Sequence, residues 1–153
     1  MPRKLRLTYV NTGESVLADM LEEDAPQVCQ QVWDLLPVQT TVIHGMYSGA
    51  EVFALLDNPR PVPPENLCQL PLPGEILYFY DDAKYVTAHN KPVAEICVVY
   101  NRGVVLKGPE SIPVHCSLFA RIPGDWKHDW IDFQNACRKA RREGPQELRI
   151  ERA

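Results

Sequence analysis

Thr41-Val42-Ile43-His44-Gly45-Met46-Tyr47-Ser48-Gly49-Ala50-Glu51-Val52-Phe53 reads as one apolar strand, a Ser-Gly break and a second apolar strand. Branched and aromatic residues on both sides suit a pleated surface. Glycine at such a break marks a bulge or a close approach of backbone. His44 and Glu51 flank the break, and Tyr47 and Ser48 lie within it. A polar cluster carried by two apolar strands makes this the candidate site of the chain.

Working toward the N-terminus, Leu5, Leu7 and Tyr9 alternate with Arg6 and Thr8, the period of a half-buried strand. Asn11-Thr12-Gly13-Glu14 is turn chemistry and Ser15 to Leu21 returns, which predicts a hairpin. Asp24-Ala25-Pro26-Gln27 opens a helix, with Asp24 as an acidic cap and Pro26 in the first turn. Val28, Val32, Leu35 and Leu36 form its buried stripe beside Trp33, and Pro37 stops it.

Toward the C-terminus, residues 57–73 carry Pro59, Pro61, Pro63, Pro64, Pro71 and Pro73. Proline cannot donate to a strand ladder, so this stretch is a long stiffened loop, a lid, a subunit contact or surface decoration. Gly74 to Tyr80 is an apolar, aromatic strand, followed by a turn at 81–84 and a short return at 85–87. Pro92 to Tyr100 is nearly continuous in hydrophobicity, which predicts a strand buried on both faces. Val104 to Leu106 extends the sheet after a turn at Asn101-Arg102-Gly103, and Ser111 to Ile122 forms the last long strand. Asp125 caps a second helix whose Trp126, Trp130, Phe133, Cys137 and Ala140 recur at helical spacing. Gly144-Pro145 ends it, and Glu147 to Arg152 closes as a strand. Many strands with two helices point to a mainly β fold, an antiparallel barrel capped by helices, with residues 1–153 as one domain.

The 153 residues are 45% hydrophobic, enough for one core of ordinary size. Twenty acidic against sixteen basic residues gives a formal charge of −4, so nucleic acid is not an expected partner. The basic run Arg138-Lys139-Ala140-Arg141-Arg142 falls at a helix end, where cations complement the dipole. No apolar stretch approaches the roughly 20 residues that span a bilayer. Met1-Pro2-Arg3-Lys4-Leu5-Arg6 is basic but leads into alternating residues, not a leader core, so a cytoplasmic protein without a membrane partner is expected. The five cysteines (Cys29, Cys68, Cys97, Cys116 and Cys137) lack CxxC spacing and read as reduced, small hydrophobes.

Glu22-Glu23-Asp24-Ala25-Pro26-Gln27-Val28-Cys29 resembles the cyclophilin segment in which a strand ends and the first helix opens. More closely, the chain resembles a bacterial and archaeal family of uncharacterised proteins with a cyclophilin-like fold. Glu23-Asp24-Ala25-Pro26, Ile43 to Gly49, Pro73 to Tyr78, His115 and Arg142 to Leu148 carry that resemblance, which spans nearly the whole chain. It implies a closed antiparallel barrel capped by two helices. Prolyl isomerases of that fold carry an arginine and a Phe-Met-x-Gln-like stretch on the strand matching Val42 to Phe53. Here His44, Met46, Tyr47 and Ser48 stand there without an arginine, so prolyl isomerisation is not expected.

Strand parity puts Val42, His44 and Met46 on one face, and His115, Ser117, Phe119 and Arg121 on another. If both faces line one cleft, His44, Glu51 and His115 would be its acid/base residues, with Tyr47, Ser48, Tyr78 and Arg121 as ligand contacts. Two imidazoles and a carboxylate would also suit a metal, but no HxH or HExxH spacing supports one, and no cofactor is called for. Ser48 with a histidine would make a nucleophile and base, yet Ser-Gly is equally turn chemistry. Glu95 would serve as an acid or base if buried, and would be an edge charge if exposed. The expected function is binding of a small polar metabolite around His44 and His115. A small-molecule enzyme using His44 as acid/base, possibly hydrolytic, and a homo-oligomeric scaffold built on the proline-rich loop stand as alternatives.

Overall fold

A computed structural model describes residues 1–82 and 91–153. The turn and return expected at 83–87, and His89-Asn90, lie outside the described residues. Among the described residues nine strands form: β1 (Lys4–Tyr9), β2 (Ser15–Met20), β3 (Val38–His44), β4 (Glu51–Leu55), β5 (Leu67–Cys68), β6 (Glu75–Asp81), β7 (Val93–Val99), β8 (Cys116–Arg121) and β9 (Gln146–Arg152). Two helices join them, α1 (Pro26–Leu35) and α2 (Ile131–Glu143). The strand order β2-β1-β9-β3-β4-β7-β6-β8 closes through pairing of β2 with β8, and every pairing is antiparallel. This is a closed eight-stranded barrel, with the two-residue β5 added outside β8.

Alternation sorts the side chains. Leu5, Leu7, Val42, Val52, Ala54, Ile76, Ile96, Val98, Leu148 and Ile150 fill the interior and merge with the buried faces of α1 and α2. A second apolar cluster sits on the outer surface of β4, β7, β6 and β8. There Leu77, Phe79, Cys97, Val99, Cys116 and Leu118 meet Val104, Leu106 and Val114 from the segment between β7 and β8. β7 is therefore covered on both faces, as its hydrophobic run requires.

That covering segment differs from the expected one. Val104 to Leu106 does not extend the sheet: Val105 N–H bonds Ser48 C=O (3.1 Å) and Leu106 N–H bonds Gln69 C=O (2.9 Å). Ser111 to Ile122 is not one strand either, because Pro109–Ser111 is a 3-10 turn and β8 begins only at Cys116. Proline at 109 and 113 removes two ladder donors, which confines this stretch to loop geometry. The second helix likewise starts later than Asp125. Asp125 organises a preceding turn, accepting Lys127 N–H at 2.7 Å, and α2 opens at Ile131.

The first helix also takes its cap from elsewhere. Ala25, not Asp24, occupies the N-cap, and no side chain of its own segment caps it. The Glu65 carboxylate from the proline-rich loop accepts the N–H groups of Gln27 (3.0 and 3.1 Å) and Val28 (3.1 Å). An anion there satisfies orphan donors and faces the positive end of the helix dipole. The loop thus anchors α1, while Leu67, Leu70 and Leu72 stay exposed. Among the described residues, no helix is long and apolar enough to cross a membrane.

Glu65→Ala should lower the unfolding free energy by about 1 kcal/mol, the usual worth of a cap. Asp24→Ala should change it by less than about 0.5 kcal/mol, as an ordinary surface substitution does. Urea denaturation of both variants checks the assignment, and the reverse ranking would contradict it.

Candidate functional site

The segment covering the outer barrel face does not fill it. A cavity of about 440 Å³ remains, floored by Phe53, Phe79, Glu51, Glu95 and Cys97 and walled by Leu106, Val114 and Cys116. Ile43, Met46, Tyr47 and Ser48 complete the side nearest the β3–β4 turn. The register explains the arrangement. Phe53 pairs with Cys97, Leu55 with Glu95, and Glu51 with Val99, so Glu51, Phe53, Cys97 and Glu95 share the outer face. Four residues of strand separate the Glu51 and Glu95 positions, roughly 13 Å between Cα atoms.

Two close contacts shape the site. Gly45 N–H donates to Glu51 C=O at 2.9 Å, and the Glu51 side chain lies back over Gly45. A Cβ at position 45 would come within 2.9 Å of Glu51 Cγ and Cδ, so only glycine leaves the carboxyl room. Ser48 fixes the opposite wall: its hydroxyl accepts Lys107 N–H (3.1 Å) and donates to Lys107 C=O (3.2 Å). Ser48 is thereby a latch between the β3–β4 turn and the covering segment.

The electrostatics are unusual for an apolar cavity. Glu51 is only 7% exposed, and among the described residues its Oε2 has no hydrogen-bond partner. Burial pushes its pKa up to about 7, partly offset by a hydrogen bond from the Cys97 thiol. Burial, reinforced by the Glu51 charge, pushes Glu95 up to about 8. Cys97, bonded to the Cys116 thiol and buried, is held well above the usual thiol range. Near neutral pH the cavity thus holds two carboxyl groups poised between acid and anion, beside the protonated Cys97 thiol.

A model of the family described as "Protein of unknown function (DUF3830)" matches residues 7–151. The chain belongs to this family. Among curated proteins none matches the chain. Solved structures similar in fold include McbB, solved in complex with tryptophan, with 19% identity and a TM-score of 0.67. The match covers 97% of this chain but 44% of McbB, so the DUF3830 chain spans less than half of that protein's length. The hypothetical protein AF2241 from Archaeoglobus fulgidus is similar over 99% of this chain and 95% of its own, with 16% identity and a TM-score of 0.51. These likenesses show the barrel fold.

In this DUF3830 barrel, the residues singled out from sequence do not converge on one cleft. His44 pairs with Val52, an interior position, so its side chain takes the face opposite Glu51. Its Nδ1 lies 2.9 Å from Gly45 C=O and its Nε2 2.7 Å from the Tyr100 hydroxyl. A carbonyl can only accept, so Nδ1 carries the proton and Nε2 accepts the tyrosine O–H. Burial lowers the His44 pKa, with the Gly45 bond opposing and nearby Arg141 adding to the fall. His115 is exposed, while its neighbours Val114 and Cys116 line the cavity. The expected cleft between His44 and His115 is therefore not formed, because the two alternate away from it by strand parity.

Tyr78 faces the interior and donates its hydroxyl to Arg60 C=O at 2.7 Å, tying down the proline-rich loop. Arg121 is exposed and pairs with buried Glu75 at 2.8 Å. Glu51, Tyr47 and Ser48 do meet at one cavity, though Ser48 spends its hydroxyl on Lys107. Sequence reading missed Phe53 on β4 itself and the members from the other strands, Phe79, Cys97 and Cys116. The signal was the β7 hydrophobic run, which demanded a cover on its outer face and so placed its one acid, Glu95, beneath that cover. Among the described residues no three His, Cys, Asp or Glu side chains gather as a metal set.

Burying Glu51 makes stability depend on pH. Its folded pKa of about 7 exceeds the usual value of 4.5, so the folded state holds the proton more tightly than the unfolded chain. Stability is full below about 4.5 and falls as pH rises through about 7, a loss on the order of 3 kcal/mol for Glu51 alone. Urea denaturation at steps between pH 5 and 8 should show this decline together with that of Glu95, whose pKa is also raised, and Glu51→Gln should make it shallower by the Glu51 share. A slope unchanged by the substitution would contradict the buried, unpartnered carboxyl.

Proposed function

We propose that this DUF3830 chain is a small-molecule-binding protein whose ligand occupies the cavity on the outer barrel face. The observation that supports the reading is Glu51: a buried carboxyl on the lining of an apolar space of about 440 Å³, with one oxygen that has no hydrogen-bond partner among the described residues. A purely structural carboxyl at that depth would be expected to have its oxygens satisfied. Small-molecule sites typically have this composition, an apolar lining with a few placed polar groups. Tyr47 and Met46, 45% and 77% exposed, form the rim through which a ligand enters. His44 and His115 take no direct part in this reading, since one is bonded internally through both nitrogens and the other points outward.

An NMR screen of small cationic, neutral and anionic aromatic compounds tests it. Binding compounds should shift the amides of Phe53, Cys97, Leu106 and Val114 and leave that of His115 unmoved. Shifts that gather elsewhere on the surface, or none at all, would overturn the assignment.

One observation favours a second reading as an enzyme. Carboxyl groups with pKa values of about 7 and 8 are matched to general acid/base work near neutral pH. The reaction class is then proton transfer on the bound molecule, with Glu51 rather than His44 as the base. Any turnover discovered should rise with pH through about 7 as Glu51 ionises and be lost in Glu51→Gln while surviving in His115→Ala. Loss in His115→Ala, with Glu51→Gln active, would return the chemistry to the histidine.

A further inference from the structure

We propose that the cavity selects a ligand with an apolar, aromatic-sized body and a protonated amine that pairs with Glu51. This rests on the reading of the cavity as a binding site and names the class of molecule it takes.

The charge pattern of the lining carries the argument. Its ionisable side chains are Glu51 from β4, Glu95 and Cys97 from β7, Cys116 from β8, Tyr47 from the β3–β4 turn and Lys107 from the covering segment. Lys107 is exposed, and its backbone, not its ammonium, makes the contacts to Ser48. Among the described residues, the enclosed part therefore presents acids and thiols and no arginine or histidine. A carboxylate or phosphate on the ligand would be buried beside two carboxyl groups without a compensating cation. An ammonium is the complement of this lining, because among the described residues Glu51 Oε2 has no hydrogen-bond donor. Binding then shifts Glu51 to its anion, and the amine supplies the charge that burial otherwise disfavours.

The second half of the proposal comes from the floor. Phe53 lies on β4 between the levels of Glu51 and Glu95, Phe79 pairs with Glu95 from β6, and Ile43, Leu106 and Val114 add to the apolar lining. A flat apolar body resting on Phe53 and Phe79 places an amine at its Glu51 end. The π-faces of both phenylalanines also favour a nearby cation.

Titration of the intact protein with phenethylamine, and separately with its neutral analogue phenylacetamide, decides the matter at pH 7.5. Phenethylamine should bind at least tenfold more tightly, followed by the amides of Phe53 and Cys97 and by calorimetry. Glu51→Gln should remove at least tenfold from amine binding and leave amide binding unchanged or stronger. Glu95→Gln, at a half-buried position, provides a second variant should the first unfold, and it should weaken the amine less.

Equal affinity for the two compounds, or an amine preference that survives both substitutions, would overturn the ligand class while leaving the cavity as a binding site. If neither compound reaches the cavity amides, the binding site itself falls. A preference for 3-phenylpropionate over phenethylamine would likewise overturn the class, since it requires a buried cation that the lining does not present.

Discussion

The strand β7 has no solvent side, and much of the molecule follows from that constraint. Seven residues from Val93 to Val99 run through the barrel wall with only Glu95 short of full burial. The barrel itself covers just one face of them. The outer face must be sealed by something else, and the chain supplies residues 104–114, pinned by Ser48, Gln69 and a backbone bond back to itself at Leu106. The segment is too short of regular structure to pack densely across four strands. The cavity is what that cover leaves, and its lining is set by which β4 and β7 residues happen to share the outer parity.

The parts of this architecture that depend on local pattern were readable beforehand. Alternation in Lys4–Tyr9 and Gln146–Arg152, the β1–β2 turn, the stop at Pro37 and the end of α2 at Gly144 all reflect interactions within a few residues. The failures share a different cause. Glu65 caps a helix 38 residues away from it in sequence, and Val104 to Leu106 is hydrophobic because it lies on a distant outer face, not because it pairs in the sheet. Helix onset at Ile131 instead of Asp125 has the same origin: Trp126 packs on the core from a turn, which mimics helical spacing. Period alone cannot distinguish burial by a neighbour from burial by a remote segment.

The candidate site divides along the same line. Glu51, Tyr47 and Ser48 were found because a polar break between apolar strands is locally visible. His44 was grouped with them by proximity in sequence, whereas the hairpin register sets it opposite Val52 and turns it to the other face. Its role is then legible in physical terms: a neutral imidazole bridging Gly45 C=O and Tyr100, holding the turn whose glycine makes space for Glu51. The histidine acts on the site through the backbone it braces.

That bracing bears on why a carboxyl stands at position 51 at all. A leucine or glutamine of similar size would fill the same space without the cost of ionising in an apolar cavity, and replacing buried charge by apolar packing is often stabilising. With leucine there Gly45 would be unnecessary too, since its openness serves to let the longer side chain fold back. The structure instead commits two positions, a glycine with its own backbone entropy cost and an acid that weakens the fold near neutral pH. Neither contributes to the barrel, whose interior lies on the opposite face. Local destabilisation concentrated at one concave, apolar, incompletely satisfied spot is the physical observation on which the proposed binding site rests.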